Sequence, residues 1–313
     1  MSSVFVTGAS GQIGLRLVAE LKRRGFQVTG LCRREAGAEA LRALGATAVV
    51  GGLADREKVR AGLAGATVVY HLAGGVHGKG SETADVLNRQ GTAQLLEALS
   101  GQRLESLVFA SSCAVYGDRN GLWVREDYPP SPHTLYGESK VAAEQLLLAS
   151  GHPVQIARIA AVYGPDFRLL QVEQMRRGRA WLPGEGQNFL PLVHVDDCVA
   201  ALLLLAEKGK GIYHIVGRTT PQLKEFYAEV HRHAGGTPLR FWSTWIPSAL
   251  QFQIAALNLS LMEKLGRKPR FTADNLRLFT AGVRMKTERL EKELGFTWKY
   301  GDYKEGLAAC FGS

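Results

Sequence analysis

Short apolar, β-branched runs alternate along the first half of the chain with longer stretches whose apolar positions recur every three to four residues. The first kind fits strands buried on both faces, the second helices with one apolar side. Strands are expected at Val4–Thr7, Gln27–Leu31, Ala46–Val50, Thr67–His71, Ser106–Ser111 and Val154–Ile159. Helices are expected at Gly11–Arg24, Ala38–Leu44, Asp55–Leu63, Val86–Leu99 and Leu135–Ala149. In the first helix Ile13, Leu17 and Leu21 stand four residues apart with Leu15 and Val18 beside them, and Asp55 is a candidate N-cap for the third. This alternation predicts an α/β fold, a doubly wound parallel sheet whose ligands bind beyond the carboxyl ends of the strands.

After Gly164 the rhythm changes. Phe167–Asn188 is rich in Arg, Gly and Gln, Pro191–Ala206 reads as a strand end and a buried helix, and Ile212–Val216 as the last strand. From Leu223 on, helices dominate and strands vanish. The expected organisation is a dinucleotide-type domain over residues 1–165, to which 190–216 return, and a smaller, mainly helical substrate-binding portion over 166–189 and 217–313. With 313 residues, 46% hydrophobic and 21% charged, the chain is neither disordered nor collagen-like nor a coiled coil. The 38 Lys and Arg exceed the 29 Asp and Glu by nine, which favours anionic small molecules. The positives are scattered, so no nucleic-acid partner is expected. Cys32, Cys113, Cys198 and Cys310 form no CxxC clip, so neither a disulfide framework nor a metal site is expected. The N-terminus lacks signal-peptide character, and the longest apolar stretch, Val199–Ala206, is too short for a bilayer. The expectation is a cytoplasmic protein without stable membrane insertion.

Thr7-Gly8-Ala9-Ser10-Gly11-Gln12-Ile13-Gly14 falls where the first strand becomes the first helix. Gly8 permits a tight turn, Gly11 a close approach to a pyrophosphate, and Gly14 close helix–strand packing, while the helix N-terminus meets the phosphates. Gly8, Ser10, Gly11, Gln12, Ile13 and Gly14 are therefore candidate dinucleotide ligands. At the end of the second strand, where an acidic residue would hold ribose hydroxyls, stand Arg33 and Arg34. Arginine pairs with a 2′-phosphate and an acid repels it, so NADP(H) is the expected cofactor and NAD(H) the alternative. Tyr136 and Lys140, at i and i+4, share a helix face. Bringing a phenol from a pKa of about 10 to near 7 takes about 4 kcal/mol of differential stabilisation, which a nearby ammonium and an oxidised nicotinamide would contribute. Such a tyrosine takes a proton from an alcohol or gives one to a carbonyl oxygen. Ser111-Ser112 closes the fifth strand, where a hydroxyl can bond a substrate oxygen.

With these motifs placed, the chain resembles the extended short-chain dehydrogenase/reductase family. The resemblance rests on the glycine motif, Tyr70-His71-Leu72-Ala73-Gly74, Asn88-Arg89-Gln90-Gly91-Thr92, Ser111-Ser112…Tyr116-Gly117, Tyr136…Lys140 and Arg158…Tyr163-Gly164-Pro165. Val193-His194-Val195-Asp196-Asp197 and Glu293-Leu294-Gly295-Phe296 extend it nearly to the C-terminus. It implies a Rossmann domain, a nicotinamide cofactor and an enzyme with Ser112 as catalytic serine, Tyr136 as acid/base and Lys140 as ribose anchor. It further implies cofactor contacts from Leu53, Leu72, Ala73, Gly74, Asn88, Ser111 and Val162, structural roles for His194, Asp196 and Asp197, and a homodimer built on Val86–Leu99 and Leu135–Ala149.

The departures bear on substrate. Gly52 precedes Leu53 where the family usually places an Asp for the adenine amino group. Cys113-Ala114 replaces the Asp-Glu pair of sugar-nucleotide dehydratases, and Cys113 is read as packing. Gly184-Glu185-Gly186 is followed by Leu190 where many nucleotide-sugar enzymes carry a diphosphate-binding Arg, so the loop resembles the 3β-hydroxysteroid dehydrogenase and dihydroflavonol reductase-like branch. Trp242, Trp245, Ile246, Leu250, Phe252, Ile254 and Leu257 read as core or as the wall of an apolar pocket. Arg176-Arg177-Gly178-Arg179 reads as a solvated face or an anion contact. The expectation is an NADP(H)-dependent oxidoreductase interconverting a secondary alcohol and a carbonyl on a medium-sized, largely apolar small molecule. Its rivals are a nucleotide-sugar epimerase with tightly bound NAD and a non-catalytic NADP(H)-binding redox sensor.

Overall fold

The structure, a computed structural model, describes residues 3–75, 83–165, 167, 170–177, 182, 185–236, 250, 253, 254, 257 and 273–312. Seven strands, β1 (Ser3–Thr7), β2 (Gln27–Cys32), β3 (Thr47–Val50), β4 (Ala66–His71), β5 (Ser106–Ser112), β7 (Val154–Ile159) and β10 (Gly211–Ile215), form one sheet. Every pairing in it is parallel, and the order is β10-β7-β5-β4-β1-β2-β3. The chain runs outward from β1 to β3, then returns to β4 beside β1 and runs outward the other way. The crevice where direction reverses, between β1 and β4, is where a doubly wound sheet takes its ligand.

The layers follow from alternation along the strands. Val4 and Val6 of β1 join an apolar layer with Leu17, Val18 and Leu21 of α1 (Gln12–Arg23) and Leu202 and Leu205 of α7 (Val195–Lys208). Phe5, between them, joins the opposite layer. Its partners are Val59 and Leu63 of α3 (Arg56–Leu63), Leu95 of α4 (Gly91–Ala98), and Ala143 and Leu147 of α5 (Leu135–Leu148). Successive side chains of a strand point to opposite faces, so strands covered on both must be apolar throughout. All the strands and helices expected in the first half form, with ends displaced by no more than three residues. The helix expected at Val86–Leu99 opens as a π turn, Val86–Gln90, before α4.

Three expectations need correction. The chain beyond Leu223 is not strand-free, and β10 is not the last strand. β11 (Arg284–Met285) pairs with β6 (Trp123–Val124), and β8 (Ala161–Tyr163) pairs with β9 (Leu192–His194). Strands of two or three residues carry no readable period; β11 is set by its neighbour, with Arg119 and Gly121 N–H groups donating to the Gly282 carbonyl. Asp55 occupies the N-cap position of α3, yet its carboxylate accepts from Gly52 N (2.7 Å) and caps no helical N–H. Of the apolar stripe, Leu250, Ile254 and Leu257 are exposed rather than core; Trp242, Trp245, Ile246 and Phe252 lie outside the described residues, as do Gly178, Arg179 and Gly184.

A third apolar cluster holds Leu190 and Leu192 with Leu223, Phe226 and Val230 of α8 (Leu223–Ala234). At the start of α7, His194 Nδ1 accepts from Asp196 N (3.2 Å) as the helix cap, while Asp197 accepts from Lys299 N (2.8 Å) and Tyr300 N (2.9 Å), tying down the C-terminal segment. Arg177 pairs with Glu173 at the surface of α6 (Val172–Arg176). Among the described residues, no helix is long and apolar enough to cross a membrane.

Candidate active site and cofactor cleft

β1 ends at Thr7 and the chain turns at Gly8 with φ +67°, a region that glycine enters without strain. A Cβ there would lie 2.7 Å from Ala73 N, so the turn sits directly against the end of β4. Gly11 N donates to Gly8 O (3.0 Å), and a Cβ on Gly14 would lie 2.7 Å from Ala9 O. The first turn of α1 holds no acidic residue and no side chain caps it, so its positive end is open to an anion. Ser10, Gly11 and Gln12 are exposed at this corner and Ile13 is half-buried. These residues fit a pyrophosphate. Arg33 and Arg34 are exposed just past β2. The helix that follows, α2 (Glu35–Ala43), rests on the glycine turn, because a Cβ on Gly37 would lie 2.7 Å from the Cβ of Ser10.

The other wall is Leu72-Ala73-Gly74, held by a buried line of hydrogen bonds. Ala73 N donates to Thr7 Oγ1 (3.1 Å), Thr7 Oγ1 to His71 Nδ1 (2.8 Å), His71 Nε2 to Thr92 Oγ1 (3.0 Å), and Thr92 Oγ1 to Asn88 O (2.7 Å). Each hydroxyl has one proton to give, so the line fixes the His71 tautomer. Burial lowers the His71 pKa to about 3, with Lys140 adding repulsion. Asn88 sits in the π turn, a distortion frequent at functional sites. Its amide nitrogen reaches Ala84 O (2.9 Å) and Ser139 Oγ (3.0 Å), and its oxygen accepts from Gly75 N (3.2 Å). Leu53 packs over Gly91 at the start of α4, and Val162, half-buried on β8, packs against the α1 layer.

Ser111 and Ser112 end β5, and Ser112 Oγ accepts from Ala114 N (3.2 Å), capping a 3₁₀ turn over Cys113–Tyr116. α5 starts from Thr134, whose hydroxyl accepts from Gly137 N (3.1 Å). A Cβ on Gly137 would lie 2.5 Å from Ala114 O and 2.9 Å from Pro132 Cβ, so the first turn of α5 is pressed onto the 3₁₀ turn. That contact brings Tyr136 beside Ser112, whose hydroxyl pulls the Tyr136 pKa down. Lys140 is buried one helical turn on. Its Nζ donates to Ala110 O (2.7 Å), lies 4.7 Å from the Phe109 ring centroid and 5.9 Å from that of Tyr136, and abuts Gly74. Ser112, Tyr136, Lys140, Asn88 and Gly74 thus meet at the carboxyl ends of β4 and β5.

Burial pushes the Tyr136 pKa up to about 12 against the pull of the Ser112 hydrogen bond, so the phenol is protonated at neutral pH. The Lys140 proton is turned to Ala110, and burial is the larger effect on both groups, lowering Lys140 to about 8 with Glu144 opposing. Cys113, beside Ser112, packs against the α1 layer, and burial pushes its thiol to about 11.

Sequence reasoning missed a buried polar line behind the site. Ser111 Oγ donates to Glu144, Arg158 clamps the same carboxylate and donates to the Tyr116 hydroxyl (2.8 Å), and Tyr116 bonds His214 Nε2. His214 Nδ1 donates to Lys286 O (3.0 Å), and burial holds its pKa near 3. The available signal was an arginine inside the apolar run Val154–Ile159.

Residues 4–216 match the model of the NAD dependent epimerase/dehydratase family. The chain is 30% identical over 97% of its length to the 4-hydroxy-2-methyl-3-oxo-4-farnesyl-3,4-dihydroquinoline-1-oxide ketoreductase of Stigmatella aurantiaca, 94% of which it covers. It is 26% identical over 98% of its length to the decarboxylating sterol-4-alpha-carboxylate 3-dehydrogenase of Dictyostelium discoideum, covering 99% of that protein. Its fold is similar to that of UDP-glucuronic acid 4-epimerase from Bacillus cereus, solved with UDP-glucuronic acid and NAD, with a TM-score of 0.78 at 20% identity over 99% of this chain and 98% of that one. The family match spans the whole seven-stranded sheet and everything that converges on its cleft. The chain belongs to the NAD dependent epimerase/dehydratase family and is an NAD(P)-dependent oxidoreductase of the extended short-chain dehydrogenase/reductase type.

Proposed function

We propose that this chain is an NADP(H)-dependent reductase/dehydrogenase that interconverts a secondary alcohol and a carbonyl on a medium-sized, largely apolar substrate. One observation carries the reading: Tyr136 stands against Ser112 with Lys140 buried one turn behind, beside the glycine turn of a bare helix start. Gly8, Ser10, Gly11, Gln12, Ile13 and Gly14 would hold the pyrophosphate, Arg33 and Arg34 a 2′-phosphate, and Lys140 the nicotinamide ribose. Leu53, Leu72, Ala73, Gly74, Asn88, Ser111 and Val162 would line the rest of the cleft. When bound, the nicotinamide supplies or accepts the hydride. In reduction, the Tyr136 hydroxyl gives its proton to the carbonyl oxygen while Ser112 Oγ donates a hydrogen bond to that oxygen. A phenol at about 12 is in the protonated form this step needs. In oxidation, the Lys140 ammonium stabilises the phenolate that takes the alcohol proton.

Leu190, buried against Leu192, Leu223 and Phe226, supports an apolar substrate by leaving a diphosphate without a guanidinium at that place. A farnesylated quinoline-oxide ketoreductase and a sterol dehydrogenase among the relatives point the same way. The proposal includes the division at residues 1–165 with 190–216 against 166–189 with 217–313, and a homodimer through residues 86–99 and 135–149, where Leu135 and Leu148 are exposed. A monomer in sedimentation velocity overturns the pairing. The function is tested with NADPH and a panel of ketones. Tyr136→Phe should lose about 10²- to 10⁴-fold in kcat while retaining cofactor affinity; full turnover by that variant refutes the mechanism. NAD that copurifies tightly without net turnover supports a nucleotide-sugar epimerase instead, and tight NADPH binding without consumption supports a sensor.

A further inference from the structure

Tyr136, Lys140 and Glu144 stand four residues apart on one face of α5. The first two meet the reacting atoms in the function proposed above. Glu144 lies deeper, its side chain 4% exposed. A carboxylate at that depth is costly unless it is paired and fully hydrogen-bonded. Arg158, 3% exposed near the carboxyl end of β7, donates Nε to Oε1 (3.1 Å) and Nη2 to Oε2 (2.8 Å), and Ser111 Oγ donates to Oε1. Arg158 is itself fixed by Tyr116 and by the Glu126 carbonyl (3.2 Å).

This clamp acts on Lys140 in two ways. Arg158 takes both carboxylate oxygens, so Glu144 does not capture the ammonium, whose Nζ instead bonds Ala110 O at the cleft. The negative charge nevertheless stays one helical turn beneath. The groups facing Lys140 are the Ala110 carbonyl and Phe109 ring from β5, neutral His71 from β4, and the Asn88 amide from the π turn. α5 adds the Tyr136 phenol and Ser139, and Arg158 of β7 stands behind the carboxylate. Among the described residues, Glu144 is the anion that acts on this amine, and it opposes the burial that drives the proton off.

We propose that Glu144 is a positioning residue of this site: its clamped carboxylate keeps the Lys140 amine protonated while leaving the ammonium free for the ribose and the Tyr136 oxygen. The proposal rests on the roles given above to Lys140 and Tyr136, but its first readout does not need them. The Lys140 Nζ signal of the full chain labelled with ¹⁵N-lysine, assigned by its loss in Lys140→Met, is followed against pH. In Glu144→Gln the midpoint should fall by about one pH unit or more, the size expected for losing an opposite charge at close range. If that variant does not fold, Glu144→Gln/Arg158→Met leaves no charge buried alone and should show a smaller fall in the same direction, because the Arg158 cation behind the carboxylate goes with it. A midpoint within about 0.3 of the wild type in either folded variant overturns the proposal. The second readout is the pH dependence of NADPH affinity and of kcat, whose alkaline limbs should move down with the midpoint. A shifted midpoint with unmoved limbs leaves Glu144 as the keeper of the Lys140 proton and refutes the role assigned to Lys140.

Discussion

Replacing Gly137 with alanine tests whether the contact between α5 and the 3₁₀ turn sets the active geometry. The added methyl would meet Ala114 O at 2.5 Å and Pro132 Cβ at 2.9 Å, where ordinary contact begins at 3.4 Å. The obstacle is backbone, so the start of α5 must move away by about 0.9 Å, carrying Tyr136 from Ser112. The stability terms offset each other in part: overpacking costs about 1–3 kcal/mol and alanine is favoured over glycine within a helix by about 1 kcal/mol, leaving about 0–2 kcal/mol of net destabilisation. Chemistry is less forgiving, because a displacement of about 1 Å costs on the order of 100-fold in rate, equivalent to about 2.7 kcal/mol of barrier. Lys140 stands a turn further along, and the glycine turn is on another element, so cofactor binding should persist. The assay is kcat on a ketone turned over by the wild type, with NADPH affinity from calorimetry and the thermal midpoint measured beside it. A folded Gly137→Ala protein with unchanged kcat would refute the argument, as would equal losses in cofactor affinity and rate.

Arg33→Asp should weaken NADPH far more than NADH in calorimetry, because a carboxylate repels a 2′-phosphate and leaves a free ribose unopposed; equal losses sink the 2′-phosphate assignment. Acid should destabilise the fold before its carboxylates titrate. His71, His214 and His194 have folded values lowered from 6.5 to about 3, about 3 and about 4. The unfolded chain therefore binds the extra protons below pH 6.5, and stability is lost as pH falls from there toward 4, by at most about 1.4 kcal/mol per pH unit for each histidine. Urea midpoints at pH 7, 6 and 5 should fall steadily, and a flat series contradicts the buried neutral rings.

The sheet was legible because burial on both faces leaves strands no polar positions, and the amphipathic stretches between them have only one way to cover it. The glycine turn and the Tyr136–Lys140 pair were legible for a different reason: their chemistry is local, set by spacings of three or four residues. What escaped depends on distance in sequence. Glu144 and Arg158 are partners only because α5 folds back to pack on β7. Tyr116 and His214 meet across 98 positions. β6 and β11 are too short to show alternation and exist only as a pair. Spacing also places a lysine one turn from Tyr136 without saying where its Nζ points or how deeply both groups are buried.

The relay through Thr7, His71 and Thr92 runs in one direction, from the sheet into the π turn and α4 that cover it, every donor committed to a single acceptor. Its imidazole N–H can therefore reach deuterated solvent only when β1, β4 and α4 part company. That single proton is a built-in chronometer: its exchange half-life reports how often the crevice wall between the two halves of the sheet comes undone, and a cofactor seated there should slow it in proportion to its grip.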